Sequence, residues 1–330
     1  MTARSSNTAL ENITRGLVRT NLPRLPPAPG FEGHAEYMEQ VELWRRWIAW
    51  EKDDPLVLKT DEPEAFRQRI LYGYKQALMA LRFWPEMWVD AARWCFENGV
   101  SKDGKDLGLE LLVEGISANP ESVLLALTHG DRIESTFPME EGDDAKVLRG
   151  NAVRAPYNKV LDTLYDMTKG LKDREKAEVA KIEEAAALRA TPAGSDDDEE
   201  DPAVSSKAKE SAKQEKIRLV QQGFAVQTQL LSRTISFVWI ALVRAMRRIQ
   251  GKGKPNNPLG GARHVFSEAR QRGRLTSDVY VAVAELEWNV YRDPVGTKIF
   301  ERGAKLFPED EFFMVEYLKH LHSIHDTTSK

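Results

Sequence analysis

The apolar residues recur at intervals of three and four along most of the chain, which is the spacing of one face of an α-helix. The first such segment begins near Glu36 and includes Trp44 and Trp47. Asp61–Pro63 and Trp84-Pro85 predict the starts of two further helices, because proline is favoured in the first helical turn. We find no segment with the period-two alternation of a strand. The pattern predicts an all-α fold.

The helical segments recur with a period close to 34 residues. Pro85 and Pro120 lie 35 residues apart (120 − 85), and Phe266 and Phe300 lie 34 residues apart (300 − 266). A helix-turn-helix unit of this length is typical of an α-solenoid, in which each pair stacks on its neighbours, and about five pairs are expected here. Large aromatic residues should seal these contacts, although stacking on nucleotides or RNA is an alternative role for the tryptophans. The residues expected in the repeat core are Trp44, Trp47, Trp88, Phe266 and Phe300.

Two segments interrupt the helical pattern. Residues 1–35 include a proline-rich run, Leu22–Gly30, which predicts an irregular connector or, alternatively, a polyproline ligand. Residues 168–212 are highly charged, and Asp196–Asp201 are six consecutive acids, which predicts a disordered loop near 190–210. The flanks of this insertion look helical, and one long helix is expected from about Lys213 to Gln250. The predicted organisation is a connector at 1–35, repeats at 36–167, the charged insertion at 168–212 and repeats at 213–330.

The composition of the chain indicates in which cellular compartments the protein is expected. Cys95 is the only cysteine, so no intramolecular disulfide can form. The net charge is −4, so any nucleic-acid site must be a local patch. The first thirty residues lack the apolar core of a signal peptide, and no apolar run approaches the ~20 residues that span a bilayer. These observations predict a cytosolic or nuclear protein with no membrane contact.

We find no convincing catalytic constellation in the sequence. His320, His322 and His325 cluster near the end, but no cysteine or carboxylate completes a metal set at a typical spacing, so polar faces of a terminal helix are expected. Gly251–Gly261 lacks the preceding strand and the Lys-Ser/Thr ending of a phosphate loop, so a flexible inter-helix loop is expected. Cys95 lies between aromatic residues and is expected to pack in the core. The sequence therefore predicts no enzyme activity, cofactor, metal or small-molecule substrate.

One constellation is strongly basic. Between Ser236 and Thr276 there are nine lysines and arginines and one acid, Glu268, so the local charge is +8 (9 − 1). Such a stretch could contact RNA phosphates, dock an acidic protein segment, including the chain's own Asp196–Asp201, or be a solvated helix face. The candidate polyanion-binding residues are Arg244, Arg247, Arg248, Lys252, Lys254, Arg263, Arg270, Arg272 and Arg274.

Several motifs resemble half-a-TPR (HAT) repeats. The segment Trp44–Leu56, which ends in WEKDDPL, resembles the first helix of such a repeat, and Lys298–Pro308 resembles the second. Three stretches, Trp44–Trp88, Phe237–Arg274 and Val279–Leu321, together resemble the scaffold subunits of cleavage stimulation factor, whose fungal counterparts sit in cleavage factor IA. The resemblance implies a nuclear, non-catalytic scaffold that organises protein subunits of pre-mRNA 3′-end cleavage and polyadenylation.

The resemblance also implies partners and boundaries. In that family the later half of the array forms a homodimer, and a segment beyond the array binds the RNA-binding subunit. Repeats are expected upstream of Leu22 and beyond His325, so the array is expected to end in mid-repeat and the chain to be a fragment, and the charged insertion suggests a fungal protein. The alternatives are a HAT scaffold of the spliceosome or of ribosomal-RNA processing, or a direct RNA-binding module that uses residues 244–274.

Overall fold

The structure, a computed structural model, describes residues 3–20, 22–190, 202–255 and 257–328. The predicted disordered loop near 190–210 lies outside the described residues at 191–201, and the prediction is wrong for residues 202–210, which belong to the helix Pro202–Gln250. The all-α prediction is confirmed, because the described residues are helical apart from turns, loops and one hairpin of two-residue strands, β1 (Ser101–Lys102) and β2 (Lys105–Asp106). The helices are α1 (Ala3–Thr14), α2 (His34–Lys52), α3 (Leu58–Asp61), α4 (Pro63–Ala80), α5 (Pro85–Glu97), α6 (Leu107–Ala118), α7 (Val123–Thr136), α8 (Asp143–Ala190), α9 (Pro202–Gln250), α10 (Gly261–Arg272), α11 (Ser277–Glu285), a π-helical turn (Leu286–Val290), α12 (Val295–Leu306) and α13 (Glu311–Thr328).

The chain divides into two compact units, Met1–Thr136 and Phe137–Lys330. In the first unit the apolar stripe of α2 packs against α4, and Trp44 and Ile70 lie in its core. Trp88 of α5 packs directly on Gly115 of α6, where an added Cβ would lie 2.9 Å from the indole. Only glycine allows so close an approach between these two helices.

Asn119 and Pro120 lie between two consecutive helices. Asn119 caps the end of α6, and α7 begins at Val123, three residues after Pro120. The buried Asn119 amide donates to the carbonyl of Arg82, and the Trp88 indole donates to the same oxygen. This shared acceptor ties the start of α5 to the end of α6.

The prediction that residues 1–35 are irregular is wrong for Ala3–Thr14, which form α1. Leu10, Ile13 and Leu17 join the core of the first unit, at a three-four spacing that the polar context of this segment obscures. Gln40 of α2 fixes the chain after α1, accepting from the Val18 amide and donating to the Gly16 carbonyl, both at 2.9 Å. The proline-rich residues 22–28 have no regular structure, as expected.

In the second unit, α8 and α9 form a long antiparallel hairpin. The Gln250 amide donates to the Lys146 carbonyl near one end of the hairpin, and Trp239 donates to the Tyr165 hydroxyl further along. α9 ends at Gln250, as predicted, but begins earlier than Lys213. Beyond the hairpin, α10 and α12 begin 34 residues apart (295 − 261), which is the predicted repeat period.

Part of α9, Glu210–Gln250, is long and apolar enough to cross a membrane by length and composition. A core helix of a soluble protein meets the same criterion, and here Ile235, Val238 and Leu242 are buried within the unit. The five aromatic residues expected in the repeat core are all buried: Trp44, Trp47, Trp88, Phe266 and Phe300.

Candidate polyanion interface

The nine basic residues come from three consecutive elements of the second unit. Arg244, Arg248 and Lys254 are exposed, whereas Arg247 and Arg270 are half-buried. The distribution is Arg244, Arg247 and Arg248 on α9, Lys252 and Lys254 in the following loop, Arg263, Arg270 and Arg272 on α10, and Arg274 just after it.

Arg263 is committed to a structural ion pair. Its guanidinium donates to both carboxylate oxygens of Glu287, at 2.7 and 2.8 Å, and to Asp293 at 2.9 Å. Glu287 lies on the π-helical turn and is fully buried. The hydrogen bond to Glu287 raises the pKa of Arg263 above its usual value. Arg263 therefore holds α10 against the end of the next helix, and little of its charge is left for a ligand.

Lys252 shares this network. Its ammonium donates to Asp293 at 2.5 Å, and this bond, with the backbone donor of Val295, lowers the pKa of the Asp293 carboxyl to about 2. The same ammonium lies 5.5 Å from the centre of the Tyr291 ring. Lys252 and Arg263 thus share one acceptor, and the loop after α9 is fastened to the loop before α12.

The basic end of α10 packs against α8. Arg272 pairs with Asp162 at 2.8 Å, and its guanidinium lies over the Tyr165 ring, 4.1 Å from the ring centre. Arg270 lies over the ring of Phe266 on its own helix. Cation–π contacts of this kind hold an arginine side chain down on the surface. Arg272 is therefore less available to a ligand than its position in the sequence suggested.

The predicted basic stretch is therefore partly neutralised. Asp162, Glu287 and Asp293 lie outside the stretch but pair with its cations, and Arg154 outside the stretch pairs with its one acid, Glu268. With these partners included, the local charge falls from +8 to +6 (8 − 3 + 1). The sequence interpretation missed these acids because 24 to 110 residues separate them from their partners (287 − 263 and 272 − 162). One signal was visible: Glu287 is an acid set within an apolar helix, a position where a charge needs a partner.

The glycine-rich loop, which is expected to be a flexible inter-helix loop, is closed at its base. Backbone hydrogen bonds join Ala262 to Gly251 and Arg263 to Lys252, both at 3.1 Å. Gly253 has a φ of 65°, and an added Cβ would lie only 1.9 Å from the carbonyl oxygen of Gly260. The exposed Lys254 follows directly after this closed base.

The remaining candidates are structural. Burial raises the pKa of the Cys95 thiol to about 11, which fits a core residue. His320, expected on a polar face, is instead buried, stacked on Phe300 and hydrogen-bonded to Thr297 at 2.9 Å. The prediction of a polar face is therefore wrong for His320, because the ring fills an aromatic cluster. Among the described residues, no group of three or more His, Cys, Asp or Glu could hold a metal ion.

Paired helices at a 34-residue period, buried aromatic residues in the predicted repeat core and a buried Glu–Arg pair define an all-α, HAT-type helical-repeat protein. The family model for the Suppressor of forked protein (Suf) matches residues 1–330, and the chain belongs to that family.

Curated relatives match the whole chain. It is 63% identical to mRNA 3′-end-processing protein rna-14 of Neurospora crassa, with 100% of this chain and 28% of that protein covered. It is 61% identical to RNA14 of Gibberella zeae, covering 100% of this chain and 32% of that protein, and 32% identical to RNA14 of Yarrowia lipolytica, covering 99% and 32%. The chain thus spans about a third of the length of these relatives.

Proposed function

We propose that this chain is part of a non-catalytic, nuclear scaffold in pre-mRNA 3′-end cleavage and polyadenylation. Its helical repeats hold protein subunits of the processing machinery, and the full-length protein is a homodimer. The observation that carries the proposal is the 61–63% identity, over the entire chain, to fungal proteins named for mRNA 3′-end processing. That likeness favours 3′-end processing over a scaffold in splicing or ribosomal-RNA processing.

The test is affinity purification. The full-length protein, tagged and expressed at its natural level, is purified from nuclear extract after nuclease treatment, and its partners are identified by mass spectrometry. We expect subunits of the cleavage and polyadenylation machinery to be enriched. Enrichment of spliceosomal or ribosomal-RNA processing factors instead would overturn the proposal.

We also propose that the basic side chains on α9, with Lys254, bind a polyanion. The support is their position: Arg244, Arg248 and Lys254 are exposed at the end of α9 and in the loop after it. The site is thus smaller than the sequence suggested and is centred on the last turns of α9.

The test reverses Arg244, Arg247 and Arg248 to glutamate. Exposed arginines contribute little to stability, so the helical circular dichroism spectrum should not change. Binding to single-stranded RNA should lose about two units of salt slope if all three contact phosphates. A matched control reverses three basic residues of the first unit, Arg45, Arg46 and Arg67. Equal RNA and acidic-peptide affinity of both triple variants at low salt would show that the α9 side chains are only a solvated face.

A further inference from the structure

α9 has a second apolar face that the described residues of the chain leave uncovered. The first face packs on α8 and includes the buried Ile235 and Val238. The second follows steps of four, three, four, three and four residues, which is the spacing of a stripe that packs against another helix. We call it the α9 seam; its members are Leu219, Gly223, Val226, Leu230, Arg233 and Phe237.

The seam is exposed along its whole length. The side chains of its four large apolar residues are exposed by 54% to 58%. An added Cβ at Gly223 would meet nothing within 4 Å, so the glycine leaves an open notch among them. Single exposed apolar residues are ordinary, but these four line one side of a helix over about 27 Å. A continuous stripe of this kind marks an interaction surface.

The shape of the seam fits a helix. It is narrow and borne by one long helix, so a second helix laid along it can place its own residues at three-four spacing between the seam side chains. The notch at Gly223 accepts a large side chain. RNA fits less well, because Phe237 is the one aromatic residue of the seam, and leucine and valine offer bases no aromatic surface to stack on.

The charge around the seam identifies the chemistry of the occupant. From Lys216 to Gln250, α9 carries six lysines and arginines and no acid. Arg233 lies within the seam, and the same spacing continues past Phe237 through Ala241 to the exposed Arg244 and Arg248. The stripe is therefore apolar in its first half and basic in its second. A second copy of this chain would bring like charges together, whereas an acidic helix would meet complementary ones.

We propose that the α9 seam binds an acidic amphipathic helix of a protein partner. The apolar face of that helix packs on Leu219 to Phe237, and its acids pair with Arg233, Arg244 and Arg248. The inference deepens the scaffold function proposed above, on which it rests for the view that the partners are proteins.

The test compares two double variants of the full-length protein. Val226→Asp/Leu230→Asp places charges in the seam. Ala225→Asp/Gln229→Asp adds the same charges one residue earlier, at exposed positions roughly 100° around the helix. The probe is a synthetic helical peptide with leucines at three-four spacing and glutamates on both flanks, and affinity is measured by fluorescence anisotropy. Burial of two apolar side chains predicts a loss of about tenfold or more for the seam variant and of less than about threefold for its control.

Further experiments distinguish the acidic helix from other ligands that could occupy the seam. A peptide with lysines in place of the glutamates should bind at least about tenfold more weakly, and equal binding would refute the acidic assignment. A photo-crosslinking amino acid introduced at Val226, but not at Ala225, should link to an acidic helical segment of a processing subunit in nuclear extract. If Val226 crosslinks instead to a second copy of the chain, to RNA or to anionic lipid vesicles, the inference is wrong. Loss of the seam contact while the processing subunits still co-purify would leave the scaffold function standing.

Discussion

In each unit a buried glutamate near the end of a helix accepts two hydrogen bonds from one arginine. The arginine follows the glutamate along the chain in the first unit and precedes it in the second. In the first unit, Glu51 of α2 is bound by Arg69 of α4, the next long helix along the chain, at 2.8 and 2.9 Å. In the second unit, Glu287 is bound by Arg263 of α10, which precedes it. The first contact closes a helix pair on itself, whereas the second joins one pair to the next.

The surroundings of the two pairs differ in the same sense. Glu51 receives a third hydrogen bond from the indole of Trp47 on its own helix, at 3.1 Å. The Glu287 site is extended by Asp293, which binds Arg263 and Lys252 from the preceding elements. Because repeats contact mainly their neighbours, a contact between pairs governs how cooperatively they unfold, and a contact within a pair governs that pair alone. Removing the arginine should therefore destabilise two helix pairs in the second unit but one helix pair in the first.

The largest effect is expected for Arg263→Ala. This change leaves Glu287, whose side chain is 2% exposed, as an uncompensated buried charge, which typically costs about 3–5 kcal/mol. Urea unfolding monitored by hydrogen exchange should show loss of protection on both α10 and α12. Lost protection confined to α10 would show that the contact does not couple the two pairs.

Arg69→Ala should cost less, about 1.5–3 kcal/mol, because Arg69 is more exposed than Arg263 and Trp47 still donates to Glu51. Lost protection should be confined to α2 and α4. Arg46→Ala removes only an exposed pair with Glu42 and serves as the control, with an expected change below about 0.5 kcal/mol. If Arg69→Ala is as stable as the control Arg46→Ala, the contact between Arg69 and Glu51 has no structural importance.

Trp47→Phe tests the hydrogen bond that is special to the first unit. Phenylalanine keeps much of the buried ring but cannot donate to Glu51, so a loss of about 1 kcal/mol is expected from the missing bond, with a further contribution from the smaller ring. The double variant Trp47→Phe/Arg69→Ala should lose more than the sum of the single changes, since Glu51 then has neither donor. Strict additivity in a thermal-unfolding cycle would argue that the three side chains do not act together.

The smallest effect is a pH dependence of the second unit. Burial lowers the pKa of His320 below 6.5, so the folded state holds the ring neutral. Below about pH 6.5 the unfolded chain binds a proton that the folded chain does not, and stability therefore falls as the pH falls. His320→Gln should reduce the drop in melting temperature between about pH 7.5 and about pH 5.5. His264, whose pKa is also lowered, titrates alike in both proteins, so an unchanged drop would show that His320 remains solvated.

Local patterns in the sequence predict much of this fold, and long-range pairings limit the rest. The proline-led starts of α4 and α5 and the end of α9 at Gln250 follow from residues within a turn or two of each boundary. The charge of the basic stretch could not be predicted in the same way, because it depends on acids that the fold brings from elsewhere, as for Arg272 and Asp162.

The two faces of α9 illustrate a second limit. One series of three-four steps identifies the face that packs on α8, and once that series explains the helix, a second series in the same residues is easily passed over. Burial alone separates them, since Val238 is buried and Phe237, its neighbour, is 57% exposed. The sequence therefore predicts the helix and its length more securely than it predicts which side is left for a partner.

The α8–α9 hairpin also has a mechanical consequence. None of the residues from 172 to 188 and from 210 to 234 is buried. The outer part of α9, 25 residues long (234 − 210 + 1), therefore extends about 37 Å beyond the buried part of the helix. Most of the apolar part of the seam lies on this outer part of α9, whereas Arg244 and Arg248 lie on the inner part, where α9 packs against α10. A rotation of about 5° at the packed part of α9 displaces Glu210 by about 3 Å at this length. A ligand that contacts both the outer and the inner part of α9 would reduce bending of the helix between them.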